Sequence, residues 1–535
     1  MADHQKPYSL YNPNTGIYTS PRPPISLPQS PTTSIVDFLF RNFSAYSDRP
    51  ALIDPHSHEF FTFSQLKQKI SDFAHAVHYN YNISKGDVVL ILSPNSILFP
   101  VAFLAVTSIG AIVTTANPLY TVQELSHQIS DSKPKLIITV DQLISKVNGF
   151  NLPIVDLDKY SDLVAKSRNK TVLSPSISQS DVAAILYSSG TTGLSKGVVL
   201  THRSIMATAL MVTSDQEFYK EGKSVFLCVV PLFHIMGLIT FTYSQLQRGN
   251  AMVVMMRFEL ENTLDAIQRY KVTHLYTAPP VVMALVKQPA IVRKYNTLSL
   301  KEIGSGAAPL SKDAMDECAK VFPQTKILQG YGMTESGGII SIENAKAGFR
   351  SSGSCGTLCP GMESQIIHIE TLKPLPPNQL GEIWIRGPNL MQEYFHNKEA
   401  TEQTMDKQGW LHTGDLGYFD EEGRIYVVDR LKELIKYKGY QVAPAELEGL
   451  LVSHPEIMDA AVVPYIDEEE GEIPMAYVVI KAGSSLSGED VQSFIAKQVA
   501  PFKRIRKIAF IEVIPKAASG KILRRELRQK VQSKL

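Results

Sequence analysis

Short apolar, β-branched runs at 88–92, 135–140, 225–230 and 252–256 are separated by stretches with helical spacing, such as 260–270. Strands that alternate with helices need crossover connections, which set neighbouring strands parallel and cover the sheet with helices. An α/β architecture with largely parallel sheets is therefore expected. At 535 residues the chain is several domain lengths long, so a large domain and at least one smaller one are expected.

The texture shifts along the chain. Residues 11–33 hold Pro13, Pro21, Pro23, Pro24, Pro28 and Pro31, which predicts an extended surface arm without regular elements, covering 1–33. Folding proper is expected from Ser34 and Ile35. Past Trp410 the runs become short and antiparallel, with a hairpin over 417–428 turning at Gly423. A charged link, Asp429-Arg430-Leu431-Lys432-Glu433, then precedes a helix that starts at Pro444. The division read from this is a large domain over 34–430 and a small mobile α+β domain over 431–535.

Composition narrows the function by exclusion. With 53 basic and 52 acidic side chains the net charge is +1, which offers no wholesale attraction to nucleic acid or anionic membrane. Four scattered cysteines suit a reducing compartment, and Cys355 and Cys359 lack the second ligand pair of a structural zinc site. The first fourteen residues have no apolar core, so no secretory signal is expected. Residues 97–116 carry no charge, but Pro100, Gly110 and the β-branched stretch 112–115 read as a buried helix followed by a strand, not a membrane span.

The chemistry concentrates in four segments. A strand over 182–187 opens into Ser188-Ser189-Gly190-Thr191-Thr192-Gly193-Leu194-Ser195-Lys196-Gly197, where small residues let amides approach phosphate oxygens and Lys196 adds a positive charge. The spacing is not that of a Walker loop, because Gly197 and not Ser or Thr follows the lysine. Gln329-Gly330-Tyr331-Gly332-Met333-Thr334-Glu335 joins a tight turn, a hydroxyl and a carboxylate suited to Mg²⁺. Trp410-Leu411-His412-Thr413-Gly414-Asp415 offers an acceptor for ribose hydroxyls. Pro515-Lys516-Ala517-Ala518-Ser519-Gly520-Lys521 sets a lysine on a small-residue loop.

Taken together in this order, the segments resemble the adenylate-forming superfamily of acyl-CoA synthetases, luciferases and peptide-synthetase adenylation domains. Within it the chain is most similar to plant 4-coumarate:CoA ligases and their peroxisomal ligase-like group, over 34–525. The resemblance implies a two-step carboxylic acid:CoA ligase that uses ATP, CoA and Mg²⁺. It implies that Ser188, Ser189, Gly190, Thr191, Thr192 and Lys196 wrap the phosphates, with Thr192 and Glu335 at the magnesium ion. Gln329, Gly330 and Thr334 would contact the adenylate, and Asp415 and Arg430 the ribose. Lys521 would be the catalytic lysine, and His234 would position the acyl carboxylate or assist the thioester step. The small domain would swing about Lys432, so that Lys436, Lys438, Gly439 and Gln441 replace Lys521 beside the acyl-adenylate. Arg257, Lys438 and Gly439 stand at the implied CoA positions. Lys521 also has a reason of its own, since a carboxylate attacking a polyanion is repelled unless cations neutralise both.

Met236, Thr240, Gly306, Ala307, Gly338, Ile339 and Ile342 would line the acid tunnel. The coumarate ligases typically carry Tyr where this chain has Met236, and Pro-Val where it has Gly338-Ile339. A lost phenol and a gained flexible thioether favour an aliphatic acid, a medium-chain fatty acid or jasmonate-precursor oxylipin, over 4-coumarate. A hydroxycinnamate ligase, a luciferase-like oxygenase and a non-catalytic nucleotide-binding protein stay open as alternatives. The final Ser533-Lys534-Leu535 is a receptor-read peroxisomal address, which implies the import receptor as a partner and the peroxisome as the location.

Overall fold

The computed structural model describes residues 10–165, 175–188, 195–344, 353–437, 440–467, 470–517 and 520–532. Six parallel strands, Lys326–Tyr331, Glu302–Ser305, His274–Thr277, Val225–Cys228, Ala251–Val254 and Pro50–Ile53, lie side by side at the centre of the broadest sheet. Antiparallel additions close its two ends, Phe60–Thr62 at one and Ser341–Ile342 with Thr357–Leu358 at the other. A second sheet sets Val182–Ser188, Ile112–Thr115, Val88–Leu92, Leu136–Thr139 and Ile154–Asp156 in parallel, with Lys196–Thr201 folded back antiparallel on its edge. These strands read as continuous apolar runs because both faces are covered, as parallel sheets require.

The uncharged stretch 97–116 resolves into helix Leu98–Ser108, buried on every side, and strand Ile112–Thr115, joined through Gly110 in the left-handed region. No described helix is long and apolar enough to cross a membrane. Helix Leu260–Tyr270 has the predicted bounds and stops at Lys271, which takes the left-handed conformation.

A third sheet is antiparallel throughout and corrects the reading of the N-terminal arm. Leu10–Asn12 and Ile17–Thr19 form a hairpin that extends it beyond Glu363–Ile367, Gly381–Arg386, Leu411–Phe419 and Ile425–Arg430. Tyr18 is fully buried and stacks on Phe419. The physical reason lies in where the prolines stand: Pro13 occupies the hairpin turn, closed by Gly16 in the left-handed region, and the rest of the cluster begins only after Thr19. From Ser20 to Thr33 the chain is irregular, and the carbonyls of Pro28 and Ser30 accept hydrogen bonds from the Gln179 amide.

From Ile435 onward a separate sheet forms around the long antiparallel pair Ile457–Asp467 and Gly471–Ile480, flanked by Ile435–Tyr437 and Lys507–Phe510. Helices Pro444–Ser453 and Gly488–Ala496 share with it a core of Ile435, Leu447, Leu451, Val462, Val478 and Val491. The architecture is a large domain of mixed sheets and helices followed by a small α+β domain.

Candidate active site

Ligand sites in sheets of this kind open outside the carboxyl ends of parallel strands. Val229 and Val230 follow one such strand, Ala278 a second and Ala307 a third, and all four line a cleft of about 550 Å³. Ala307 holds a left-handed backbone, with φ 68°, a conformation that costs a residue with a Cβ of order 1 kcal/mol or more and that concentrates at functional sites. The facing wall belongs to the small domain: Lys516, Ala517 and Gly520. Gly520 has φ +85°, and a Cβ there would stand 3.1 Å from the Ala278 Cβ, so this loop is seated against the large domain.

Two motif hairpins fix the charged groups. Ser188 and Lys196 are directly paired across the strands that flank the glycine-hydroxyl loop. The Ser188 hydroxyl donates to Glu335 Oε1 at 2.9 Å, and the Tyr394 hydroxyl donates to the same oxygen at 2.8 Å. Glu335 is 6% exposed, and both bonds fall on one oxygen, which orients the other. Lys196 Nζ stands 5.0 Å from the centre of the Tyr394 ring, a cation–π contact that joins the phosphate-loop lysine to the Glu335 cluster. Burial, then the neighbouring carboxylate, raises the Tyr394 phenol above its ordinary value, so it stays a donor.

In the other hairpin Asp415 and Arg430 are register partners, with Arg430 Nε 3.0 Å from Asp415 Oδ1. Oδ2 accepts from the Tyr331 hydroxyl at 2.7 Å. A carboxylate has about four acceptor positions, so capacity remains for hydroxyl donors of a ligand.

Lys521 sits on a closed loop in which the Ala517 amide donates to the Lys521 carbonyl and the Leu523 amide to that of Pro515. Burial, followed by repulsion from Arg430, pushes its ammonium down to about 8, against the pull of Glu433 and Asp415. Lys432 is also lowered to about 8, by desolvation first and then by Lys521 and Arg430. His234 is pushed down to about 4 by burial, with Lys521 adding repulsion, and is therefore neutral near neutrality. The Met236 amide donates to His234 Nδ1 at 3.4 Å, which leaves the ring proton on Nε2. Lys521, Lys432 and Arg430 outnumber Asp415 and Glu433, so the cluster favours a polyanion.

Other expected residues divide. Met236 and Ala307 line the cleft, as does Arg257, which is mostly exposed at its mouth and pairs with Glu259. A Cβ on Gly306 would meet the Gly330 carbonyl and the Met236 methyl, and one on Gly330 would meet Ile342, so these four share a wall. Thr240 and Ile339 are buried, with Thr240 against Gly338. Thr334 opens the short turn that carries Glu335. Gln329 is buried, and its side chain accepts from the Leu310 amide and donates to the Ser354 carbonyl, which ties its strand to two loops and leaves one N–H and one acceptor position of the amide. Lys436 is exposed on the small sheet, its amide bonded to Glu472. Ser189, Gly190, Thr191, Thr192, Lys438, Gly439, the Gln441 side chain and the terminal tripeptide lie outside the described residues. Sequence reasoning missed Tyr394, which stands in none of the motifs. It also passed over Tyr331 inside one of them.

The buried Asp415–Arg430 pair acts electrostatically on Lys521, whose loop closes the cleft from the small domain, and Arg430 is in turn within the field of Glu335 beside the phosphate-type hairpin, an arrangement suited to an adenylate-forming enzyme. The chain belongs to the AMP-binding enzyme family, whose model matches residues 39–395, with the AMP-binding enzyme C-terminal domain matching 446–521. It is 47% identical to a probable CoA ligase of Humulus lupulus over 98% of both chains. It is 46% identical to a peroxisomal OPC-8:0-CoA ligase of Arabidopsis thaliana, again over 98% of each. Among solved structures it is similar to the o-succinylbenzoate coenzyme A synthetase of Bacillus subtilis in complex with ATP and magnesium ion, at 27% identity and TM-score 0.81, covering 92% of this chain and 99% of the other. The chain is an AMP-forming acid–thiol ligase.

Proposed function

We propose that this ligase activates an aliphatic acid, a medium-chain fatty acid or an oxylipin precursor of jasmonate type, inside the peroxisome. The observation that carries the acid class is Met236: it lines the cleft and reaches to 3.9 Å from a Cβ position on Gly306, so an apolar, pliable group sets the pocket's width. The similarity to a peroxisomal OPC-8:0-CoA ligase supports both the acid and the location.

In the first half-reaction the acid carboxylate attacks the α-phosphorus of ATP, forming the acyl phosphate anhydride as pyrophosphate leaves. Lys521 neutralises the approaching carboxylate and the α-phosphate, while Lys196 and Ser188 to Thr192 hold the outer phosphates. Asp415, oriented by Tyr331 and Arg430, takes the ribose hydroxyls. Gly330 and Thr334 border the adenylate. The buried carboxylate of Glu335 suits a hard cation, so it and Thr192 would hold Mg²⁺, which supplies charge neutralisation at the phosphates. Neutral His234 offers its Nε2 proton as a hydrogen-bond donor to the acyl oxygen.

In the second half-reaction the small domain, beginning at 431, turns about Lys432, withdraws Lys521 and brings Lys436, Lys438, Gly439 and Gln441 forward. The CoA thiol then attacks the acyl carbon and AMP leaves. Arg257 at the cleft mouth is placed to meet an anionic group of CoA.

An acid panel scored by CoA-dependent AMP formation tests the substrate reading. The expected kcat/KM favours medium-chain or oxylipin acids over 4-coumarate, and Met236→Tyr should narrow the gap by roughly tenfold, the scale of one pocket contact. Parity in the wild-type enzyme would refute it. For the location, an N-terminal fluorescent fusion should be punctate with peroxisomal markers and become cytosolic when Leu535 is deleted. Peroxisomal puncta that survive the deletion would show that another signal is read.

A further inference from the structure

Helix Pro279–Lys287 of the large domain meets the small domain at both of its ends. At the first end, Pro280 lines the cleft and its ring lies 3.4 Å from where a Cβ on Gly520 would stand, one residue before Lys521. At the last turn, Lys287 Nζ donates to the carbonyls of Ile457 at 2.9 Å and Met458 at 2.8 Å. Both acceptors belong to the small domain, where the register of Ile457–Asp467 against Gly471–Ile480 shifts between Ile457 and Asp459. A bulge of this kind leaves a residue out of the ladder, here Met458, and turns its carbonyl outward. The ammonium is thus bonded to backbone of the other domain. The acid whose charge acts on it, Asp459, is paired with Lys516 at 2.6 Å. A cation in the last turn is also favoured by the dipole of its own helix, so Lys287 is held ready for the bulge.

We propose that Lys287 docks the small domain in the arrangement that carries Lys521 to Asp415 and Arg430, and is released from the Ile457–Met458 bulge when that domain turns. The inference rests on the reading that the two half-reactions use different placements of the small domain. Lys287 touches no reacting group and acts as a positioning residue. Its contacts join backbone carbonyls whose placement depends on the domain arrangement, so its loss selects between half-reactions where a loss of folding would lower both.

The test is Lys287→Met, which keeps the aliphatic stem and removes the ammonium. ATP–pyrophosphate exchange should fall roughly tenfold, as expected when two charge-assisted hydrogen bonds no longer favour one arrangement. Thioester formation from a supplied acyl-adenylate should hold or rise, and proteolysis across 431–433 should quicken with Tm essentially unchanged. Wild-type exchange in the variant, or an equal fall in both half-reactions, would overturn the proposal. Lys521→Ala, run beside it, separates the two readings. If that variant loses both half-reactions equally, the domain alternation itself fails. If it separates them and Lys287→Met does not, only the docking role fails.

Discussion

Lys521→Ala should lower acyl-adenylate formation at least a hundredfold, roughly 3 kcal/mol of transition-state stabilisation, while thioester formation from a supplied acyl-adenylate survives. The expectation follows from where the ammonium sits. It is half-buried beside Arg430, Asp415 and Glu433, while the other described cation of its loop, Lys516, is bonded to Asp459. The shifted ammonium adds a pH signature. Because burial and Arg430 lower its pKa to about 8, the free enzyme loses this charge as pH rises through about 8. The sign for stability is opposite: the unfolded chain keeps the proton to higher pH, so between about 8 and 10.5 this group's contribution to folding improves as pH rises. The kcat/KM for ATP should therefore fall above about pH 8 while the fold does not weaken on account of this group. Lys521→Arg, which cannot deprotonate in that range, should move the limb upward even with a reduced rate. A rate loss shared equally by both half-reactions in Lys521→Ala would remove the lysine from its role in the first alone.

Much of the fold is legible in the sequence because its strands and helices carry their own periodicities. The uncharged segment 97–116 divides into helix and strand at Gly110, since only glycine takes the required turn cheaply. What escapes is set by pairing over long distances. The arm hairpin at 10–19 exists because Ile17–Thr19 finds an edge in Glu363–Ile367, more than three hundred residues away, and no local pattern announces it. The site divides the same way. Ser188, Lys196, Glu335, Asp415 and Lys521 stand in segments whose composition already speaks of phosphate and charge. That Asp415 faces Arg430 depends on a register shift between Leu416 and Gly417, and that Tyr394 reaches Glu335 depends on the meeting of separate loops. Gln329 adds a structural duty that its motif does not announce, since its side chain also ties its strand to the loops at Leu310 and Ser354.

Glu335→Gln should raise the Mg²⁺ concentration needed for ATP binding by about tenfold or more and slow adenylation by roughly a hundredfold, the range expected when a carboxylate partner of a catalytic cation is neutralised. The substitution is nearly isosteric. An amide oxygen at the Oε1 position still accepts from Ser188 and Tyr394, so the hairpin, the Tyr394 ring and the Lys196 contact above it keep their places. What disappears is the negative charge of a residue only 6% exposed, and the second oxygen, which accepts from neither hydroxyl, becomes an amide nitrogen that cannot ligate a cation. Calorimetric titration of ATP at stepped Mg²⁺ reads this apart from turnover, and the melting temperature reads folding apart from both. Removing the Tyr394 hydroxyl as Tyr394→Phe keeps the charge but frees its orientation, so it should weaken the Mg²⁺ dependence far less. If Glu335→Gln binds ATP with wild-type Mg²⁺ dependence, the carboxylate is a structural acceptor for Ser188 and Tyr394, and the cation must be held elsewhere.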